Sequence, residues 1–316
     1  MLGRLQKLSR SIDPDVIEGI RNSTYRTIAG YETLAPAALL PALRKQRTWL
    51  EGLLDECGDQ RQRIELFEIA CHTSGLLAYT AVGCDNFPLA RAYSEEAFQL
   101  GDYAESGNLR AWVRGIQSFC EYYAGSYERA SAFAEDGLIH AAGGPQSARL
   151  AANGVARAKG RLGDAQGVHR AIGAAFGHRW AEESADSPSS ICLGSYSPSQ
   201  VAGNAATAYL SLLHPERVER YATQALTEMS PDDSPWGRSL ILIDVARAQV
   251  LGESADLEAA AHYLREALEP ARGVPMLQVR HRGAEFLRDA TGRWGEVPEL
   301  RALEEVLATG SGASDG

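Results

Sequence analysis

A paired helical pattern recurs five times along this chain of 316 residues, and this recurrence constrains the fold more than any other feature. In each unit an apolar helical pattern ends in a short turn, and a second amphipathic helix follows. The second helices of the units begin at Phe87, Tyr127, Ala165, Pro215 and Leu257. A repeated helix pair buries its apolar face mainly against its neighbours, so the repeat predicts a stack with one continuous core.

Helical periodicity and turn residues predict about fourteen helices and no sustained strand pattern. The predicted pairs cover 61–82 with 86–100, 105–124 with 127–141, 146–162 with 164–182, 198–213 with 215–229, and 234–251 with 255–272. We expect one domain over 1–308, made of N-terminal helices (1–58), five helix pairs (60–272) and capping helices (274–308). A disordered tail is expected over 309–316. Residues 182–197 lengthen one unit, as a loop or as a short extra segment on the groove side.

Small residues recur at two corresponding positions of each second helix. They are Ala90 and Ala97, Ala130 and Gly137, Val168 and Ala175, Val218 and Ala225, and Ala260 and Ala267. With the turns Asp85-Asn86-Phe87 and Gly125-Ser126-Tyr127, this pattern resembles the tetratricopeptide repeat (TPR). The spacings are longer than in that family and uneven, so the repeats are divergent. The resemblance implies an all-α, TPR-like right-handed superhelical solenoid of antiparallel helix pairs.

The whole chain resembles the C-terminal sensor half of actinobacterial transcriptional regulators that carry an N-terminal helix-turn-helix. The segments 238–244 and 298–307 fit that resemblance, but the DNA-binding module is missing. The resemblance therefore implies a regulatory or scaffold protein that binds a peptide, a partner protein or a small signal molecule in its concave groove. Its expected setting is bacterial regulation of specialised metabolism or development.

Composition narrows the partners and the compartment. The net charge of −10 and the lack of a Lys/Arg run argue against direct nucleic-acid binding. No apolar stretch approaches the ~20 residues of a membrane span, and no apolar region follows residues 1–10 as in a signal peptide. The five cysteines include no CxxC pair, which indicates reduced thiols. We therefore expect a cytoplasmic protein without cofactor, with a homodimer left open.

The first helix of each pair is expected to line the groove, so its inward positions are the candidate ligand-binding residues. Asn and Arg suit the hydrogen bonding of an extended backbone or a carboxylate, and aromatic rings suit an apolar anchor. These candidates are His72, Tyr79, Trp112, Phe119, Tyr123, Asn153, Arg157, Asn204, Asp244 and Arg247.

Each candidate also has a purely structural interpretation. The aromatic residues would fill the core, Asn153, Asn204 and Asp244 would bond between helices, and the arginines would pair with acidic neighbours. No catalytic set is predicted, and no two histidines have the helical spacing of a metal site. An alternative function is a helical enzyme or accessory protein of a biosynthetic pathway. In that case His72 and Tyr79 would line an enclosed pocket, with 182–197 as its lid.

Overall fold

The structure, a computed structural model, describes residues 10–31, 36–178, 191, 193–194, 196–229, 235–269 and 277–309. Throughout these ranges the regular elements are α-helices with one π-helical stretch, so the all-α prediction is confirmed. The predicted tail lies outside the described residues, apart from Thr309 at the end of the last helix.

The described helices number fourteen, as the periodicity predicts. The first six are α1 (Pro14–Gly30), α2 (Pro36–Glu56), α3 (Gln60–Gly83), α4 (Phe87–Tyr103), α5 (Gly107–Tyr123) and α6 (Tyr127–Ala141). Three consecutive segments, Ser147–Arg149, the π-helical Leu150–Ala156 and Arg157–Arg161, make up α7. The others are α8 (Ala165–Gly177), α9 (Pro198–Ser211), α10 (Pro215–Glu228), α11 (Pro235–Leu251), α12 (Leu257–Leu268), α13 (Leu277–Trp294) and α14 (Pro298–Thr309).

Helix ends follow local chemistry, which is why the bounds match the sequence closely. Side chains cap the first turns of seven helices: Asp13, Asp59, Asn86, Ser106, Asp164, Ser197 and Asp256. Within two pairs, the turn reverses through a glycine in the left-handed region, Gly125 (φ 77°) and Gly163 (φ 74°). Two helices end earlier than predicted: α12 ends at Leu268, where the prediction ran to 272, and α8 ends at Gly177, where His178 is already extended. The predicted helix ran to residue 182, and 179–182 lie outside the described residues.

The small residues of the second helices explain how closely the helices pack. Nine of the ten are completely buried: Ala90, Ala97, Ala130, Val168, Ala175, Val218, Ala225, Ala260 and Ala267. At the tenth, Gly137, a Cβ atom would lie 2.7 Å from the Leu150 side chain. A larger side chain at any of these positions would push the helices apart.

Each described pair packs against the next, and the last pair does more than cap the stack. The first helices contact one another in the order α3, α5, α7, α9, α11 and α13, and each second helix from α4 to α10 contacts the following first helix. The predicted capping helices α13 and α14 pack on α11 and α12 respectively. However, α13 also contacts α3, and Leu277 at its start joins the apolar cluster of α3 and α5. The end of the array therefore returns to its beginning.

Candidate functional site

The ten predicted residues lie on the first helices, and α13 lies against them. We call the surface that α3, α5, α7, α9 and α11 form around these residues the inner face. From α13, His281 approaches Tyr123 of α5, Arg282 bonds Thr207 of α9, and Glu285 pairs with Arg161 of α7. The side chains of the inner face therefore meet partners from this same chain.

One half of the inner face, on α3 and α5, is aromatic and dry. Tyr79 stacks on Phe119 with ring centroids 4.4 Å apart, and Phe119 meets the edge of Tyr123 at 4.8 Å. Tyr31, the residue that follows α1, packs edge-on against Tyr79 at 5.2 Å. Tyr79 and Phe119 are buried, whereas Tyr123 is half-buried. The structural interpretation fits Tyr79 and Phe119, which are core residues, and leaves Tyr123 at the border of the inner face.

His72 and Trp112 continue this aromatic half. Their rings are 5.4 Å apart, and Tyr25 packs on the other side of His72 at 5.6 Å. Trp112 is completely buried in space that Gly75 leaves open, because a Cβ at Gly75 would overlap the Trp112 ring. Burial, with a smaller contribution from Arg21, lowers the pKa of His72 to about 4. His72 is therefore a neutral core residue at neutral pH.

The other half of the inner face is polar and is organised by α7. Residues 150–156 of α7 are π-helical, and Asn153 lies within this stretch. Wide turns of this kind are rare and are found mainly at functional sites. Arg157 follows directly and donates to the Asn153 side chain over 2.7 Å. Arg149 and Arg161 were not among the ten predicted residues. They lie four residues before Asn153 and four residues after Arg157, and this helical spacing could have identified them from the sequence.

Arg157 is the centre of this polar half. Its side chain is 3% exposed, lies 4.1 Å above the ring centroid of Tyr122 and donates to the Tyr123 hydroxyl over 3.1 Å. Its Nε has no hydrogen-bond partner in the described part of the chain, and no carboxylate there pairs with it. A buried guanidinium without a counter-ion is costly, so this arrangement is unusual for a residue with only a packing role.

Tyr122 of α5 lies among the arginines. Its hydroxyl accepts a hydrogen bond from Arg161 Nε over 3.2 Å. Burial raises the pKa of Tyr122, but the positive charges of Arg157, Arg161 and Arg282 outweigh burial and bring the net pKa below its usual value. The potential around this phenol is therefore strongly positive, although the whole chain is acidic.

The charged contacts to α13 involve the predicted residue Arg247. Its guanidinium pairs with both Glu285 and Asp289, and Glu285 also binds Arg161 of α7 at 2.7 Å. Burial raises the pKa of Glu285, but Arg247 and Arg161 outweigh it and lower the net pKa. This Arg–Glu–Arg bridge joins residues 124 positions apart in the sequence and holds α13 against α7.

Asp244 and Asn204 have different environments. Asp244 is 1% exposed and accepts from Thr207 Oγ1 at 2.6 Å and from Arg282 Nη1 at 2.7 Å. Asp244 and Arg247 are three residues apart on α11, and both pair with α13: Asp244 with Arg282, and Arg247 with Glu285 and Asp289. Asn204 donates to the Gln200 carbonyl of its own helix over 2.8 Å and joins none of these clusters.

The described part of the predicted loop lies on the inner face. Trp112 Nε1 donates to the Ile191 carbonyl over 3.1 Å, and Gln146 Nε2 donates to the carbonyls of Leu193 and Gly194 over 2.9 and 3.3 Å. Ile191 is completely buried in the aromatic half. Residues 191, 193, 194 and 196 therefore lie against the inner face. The rest of 182–197 lies largely outside the described residues.

One more contact joins the described part of the loop to α7. Asn153 Nδ2 donates to the Tyr196 hydroxyl over 2.9 Å, which brings Tyr196 close to Arg157.

Within the described ranges no group of three or more His, Cys, Asp and Glu side chains is placed to hold a metal ion. None of the described helices has the length and apolar character needed to cross a membrane. The sequence matches no known family model and no curated protein.

A cavity of about 520 Å³ lies away from the inner face, between the α9–α10 turn and the end of α11. It is lined by His214, Pro215, Glu216, Arg217, Glu219, Val245, Ala248, Gln249, Gly252, Glu253 and Ser254. None of the ten predicted residues lines it. Its charged side chains have mixed signs and do not converge on one point, so it does not define a reaction.

Proposed function

We propose that this protein is a regulatory or scaffold protein of the helical-repeat type, and that it binds an extended peptide segment of a partner on its inner face. In this proposal the helix pairs form a TPR-like right-handed superhelix, and the ligand lies along α5 and α7. The resemblance to the sensor halves of bacterial regulators supports a regulatory role. The setting we propose is specialised metabolism or development in a bacterium.

The observation that carries this proposal is the set of contacts between the inner face and residues 191, 193 and 194. Two side-chain donors, from Trp112 and Gln146, bond three backbone carbonyls of this non-helical segment. At the same place the Ile191 side chain is fully buried. Backbone hydrogen bonds combined with a buried apolar anchor are the usual means of binding an extended peptide. These contacts support the proposal, because a partner's peptide could use the same donors that bond residues 191, 193 and 194 of this chain.

A peptide supplied in trans tests the proposal. We would weaken the internal segment with the double substitution Ile191→Gly and Leu193→Gly, and then add a fluorescent synthetic peptide of residues 188–198. Fluorescence anisotropy should show binding to this variant at least tenfold tighter than to the wild type, whose own segment competes. Adding Gln146→Leu should weaken binding about tenfold, as expected for lost hydrogen bonds to two carbonyls.

The matched control is Gln99→Leu, because Gln99 is exposed on α4, a second helix. This substitution should leave peptide binding unchanged. If the double variant keeps its helical circular dichroism and yet binds no peptide, the proposal is wrong.

A second candidate function is favoured by the contacts that α13 and residues 191, 193, 194 and 196 make with the inner face. A small molecule bound between these segments and the inner face would suit an enzyme or accessory protein of a biosynthetic pathway. Mass spectrometry of the purified protein under native and denaturing conditions tests this candidate. A defined small molecule that is released on denaturation, and that is lost in Arg157→Gln, would support it over peptide binding.

A further inference from the structure

The polar half of the inner face contains more hydrogen-bond donors than acceptors. Arg157 donates to Tyr123 and Arg161 donates to Tyr122, so each phenol oxygen already accepts a hydrogen bond. The hydrogen of each phenol is then available to a further acceptor. Neither hydroxyl donates to any group in the described part of the chain. Two phenols therefore remain as unused donors next to a buried arginine.

The charges around these phenols do not balance. Four arginines meet here, and three of them have carboxylate partners: Arg161 and Arg247 share Glu285, Arg247 also binds Asp289, and Arg282 binds Asp244. Arg157 is the fourth, and it has only the neutral oxygens of Asn153 and Tyr123 and the ring of Tyr122. One positive charge is thus left unmatched, in a place where burial makes an unmatched charge costly.

Solvent reaches the front of this arrangement. Tyr123 and Asn153 are half-buried, and His281 of α13 is exposed with its ring 6.3 Å from that of Tyr123. The Arg161 side chain is 26% exposed. A ligand can therefore touch Tyr123, Asn153, Arg161 and His281 directly, while Arg157 lies behind them and orients Tyr123 and Asn153.

We infer that the corner formed by Arg157, Tyr122, Tyr123 and Arg161 is a binding site for a carboxylate group. Its donors suit an oxyanion, and its single unmatched charge suits a monoanion, whereas a phosphate carries a charge nearer to −2 at neutral pH. The inference rests on the proposed function, since the ligand would reach this corner along the inner face through Asn153. It adds the chemical class of one group that the ligand must carry.

The test uses the full chain labelled with tyrosine that carries ¹³C at Cζ. Sodium acetate is the probe, compared with sodium chloride and sodium phosphate at equal ionic strength. Tyr122→Phe and Tyr123→Phe assign the two phenol resonances. We expect acetate to shift both resonances saturably, and chloride to leave them in place. The apparent Kd for acetate should rise at least tenfold in Arg157→Gln.

Two further variants keep the test decisive. Arg157 is buried, so Arg157→Gln risks unfolding the protein, and Tyr123→Phe provides the second measurement. Tyr123→Phe keeps the ring contact with Phe119 and removes only the hydroxyl. It should also weaken acetate binding. Arg170→Gln is the matched control, because Arg170 is exposed on α8, and it should bind acetate as the wild type does.

Three results would overturn the inference: shifts with acetate no larger than with chloride, a phosphate affinity above that of acetate, or unchanged acetate binding in both Tyr123→Phe and Arg157→Gln. The peptide experiment depends on Trp112 and Gln146 and not on these phenols. Failure of the carboxylate site and failure of peptide binding are therefore distinguishable.

Discussion

The two halves of the inner face are made of different chemistry although they lie side by side. In the aromatic half, formed by α3 and α5, rings pack on rings, Trp112 fills the space above Gly75, and His72 is neutral. In the polar half, charged side chains of α7 and α11 pair with those of α13, Tyr122 and Tyr123 of α5 lie among them, and Arg157 has no carboxylate partner in the described part of the chain.

This difference distinguishes side chains that stabilise the fold from side chains that are available to bind a ligand. The aromatic half is saturated, because its side chains are buried and mostly meet apolar neighbours, and it needs no further partner to be stable. The polar half retains an unmatched charge and two unused phenol hydrogens, which packing does not explain. Substitutions in the aromatic half should therefore reduce stability, and selected substitutions in the polar half should reduce binding with little loss of stability.

The largest effect is expected from Trp112→Ala in the aromatic half. Removing a completely buried indole leaves a cavity and should lower the free energy of unfolding by about 3–5 kcal/mol. Urea denaturation followed by circular dichroism measures this. Trp49→Ala, at a tryptophan that is 52% exposed on α2, is the control and should change stability by less than about 0.5 kcal/mol. Equal effects of the two substitutions would contradict the assignment of Trp112 to the core.

Asp244→Ala is expected to be nearly as costly, because it leaves Arg282 buried without its carboxylate. The predicted loss is about 3 kcal/mol in the same urea experiment. The double variant Asp244→Leu with Arg282→Met removes both charges and should recover at least half of that loss. Additive losses in the double variant would show that this pair is not a buried ion pair in solution.

The pH dependence of stability tests the environment of His72. Its pKa is about 4 in the folded protein and 6.5 when exposed, so between these values the unfolded chain binds more protons. Stability should therefore fall as the pH is lowered from 6.5 towards 4, by at most about 3 kcal/mol from this residue. In His72→Gln the slope over this window should flatten, whereas His169→Gln, at an exposed histidine of α8, should keep it. A slope unchanged in His72→Gln would show that His72 is not buried as a neutral group.

The smallest effect on stability is expected from Tyr123→Phe in the polar half. Arg157 loses one hydrogen bond to a neutral oxygen but keeps Asn153 and the Tyr122 ring, so the loss should be about 1 kcal/mol or less. Acetate binding should nevertheless weaken. Thermal unfolding and the acetate titration, run on the same sample, compare the two quantities. A large loss of stability would place Tyr123 with the aromatic core and remove the distinction between the halves.

Much of the fold was predictable because it depends on neighbouring residues. The number of helices, most of their bounds, and the buried small residues such as Ala90 and Ala260 follow from periodicity and capping. The π-helical stretch of α7 was not predictable, because a wide turn in residues 150–156 has no strong local propensity. It forms where tertiary contacts support it.

The helices that carry the ten predicted residues were predictable, but the contacts of those residues were not. The ten residues do lie on the inner face, yet the interpretations of Tyr79, Phe119 and His72 as ligand contacts do not fit their burial in the aromatic half. Arg161 and Glu285, which join α7 to α13, were missed because no local pattern relates residues 124 positions apart.

By itself the sequence determined the helices, their pairing and the close approach of second helices, since each depends on residues within a few turns of one another. The tertiary structure decided that α13 returns to the inner face and that residues 191, 193, 194 and 196 lie on it. It thereby decided which charges are matched and which are not. The physical reason is that these contacts join residues far apart in the sequence, such as Arg161 and Glu285, and their approach depends on the packing of all the helices between them.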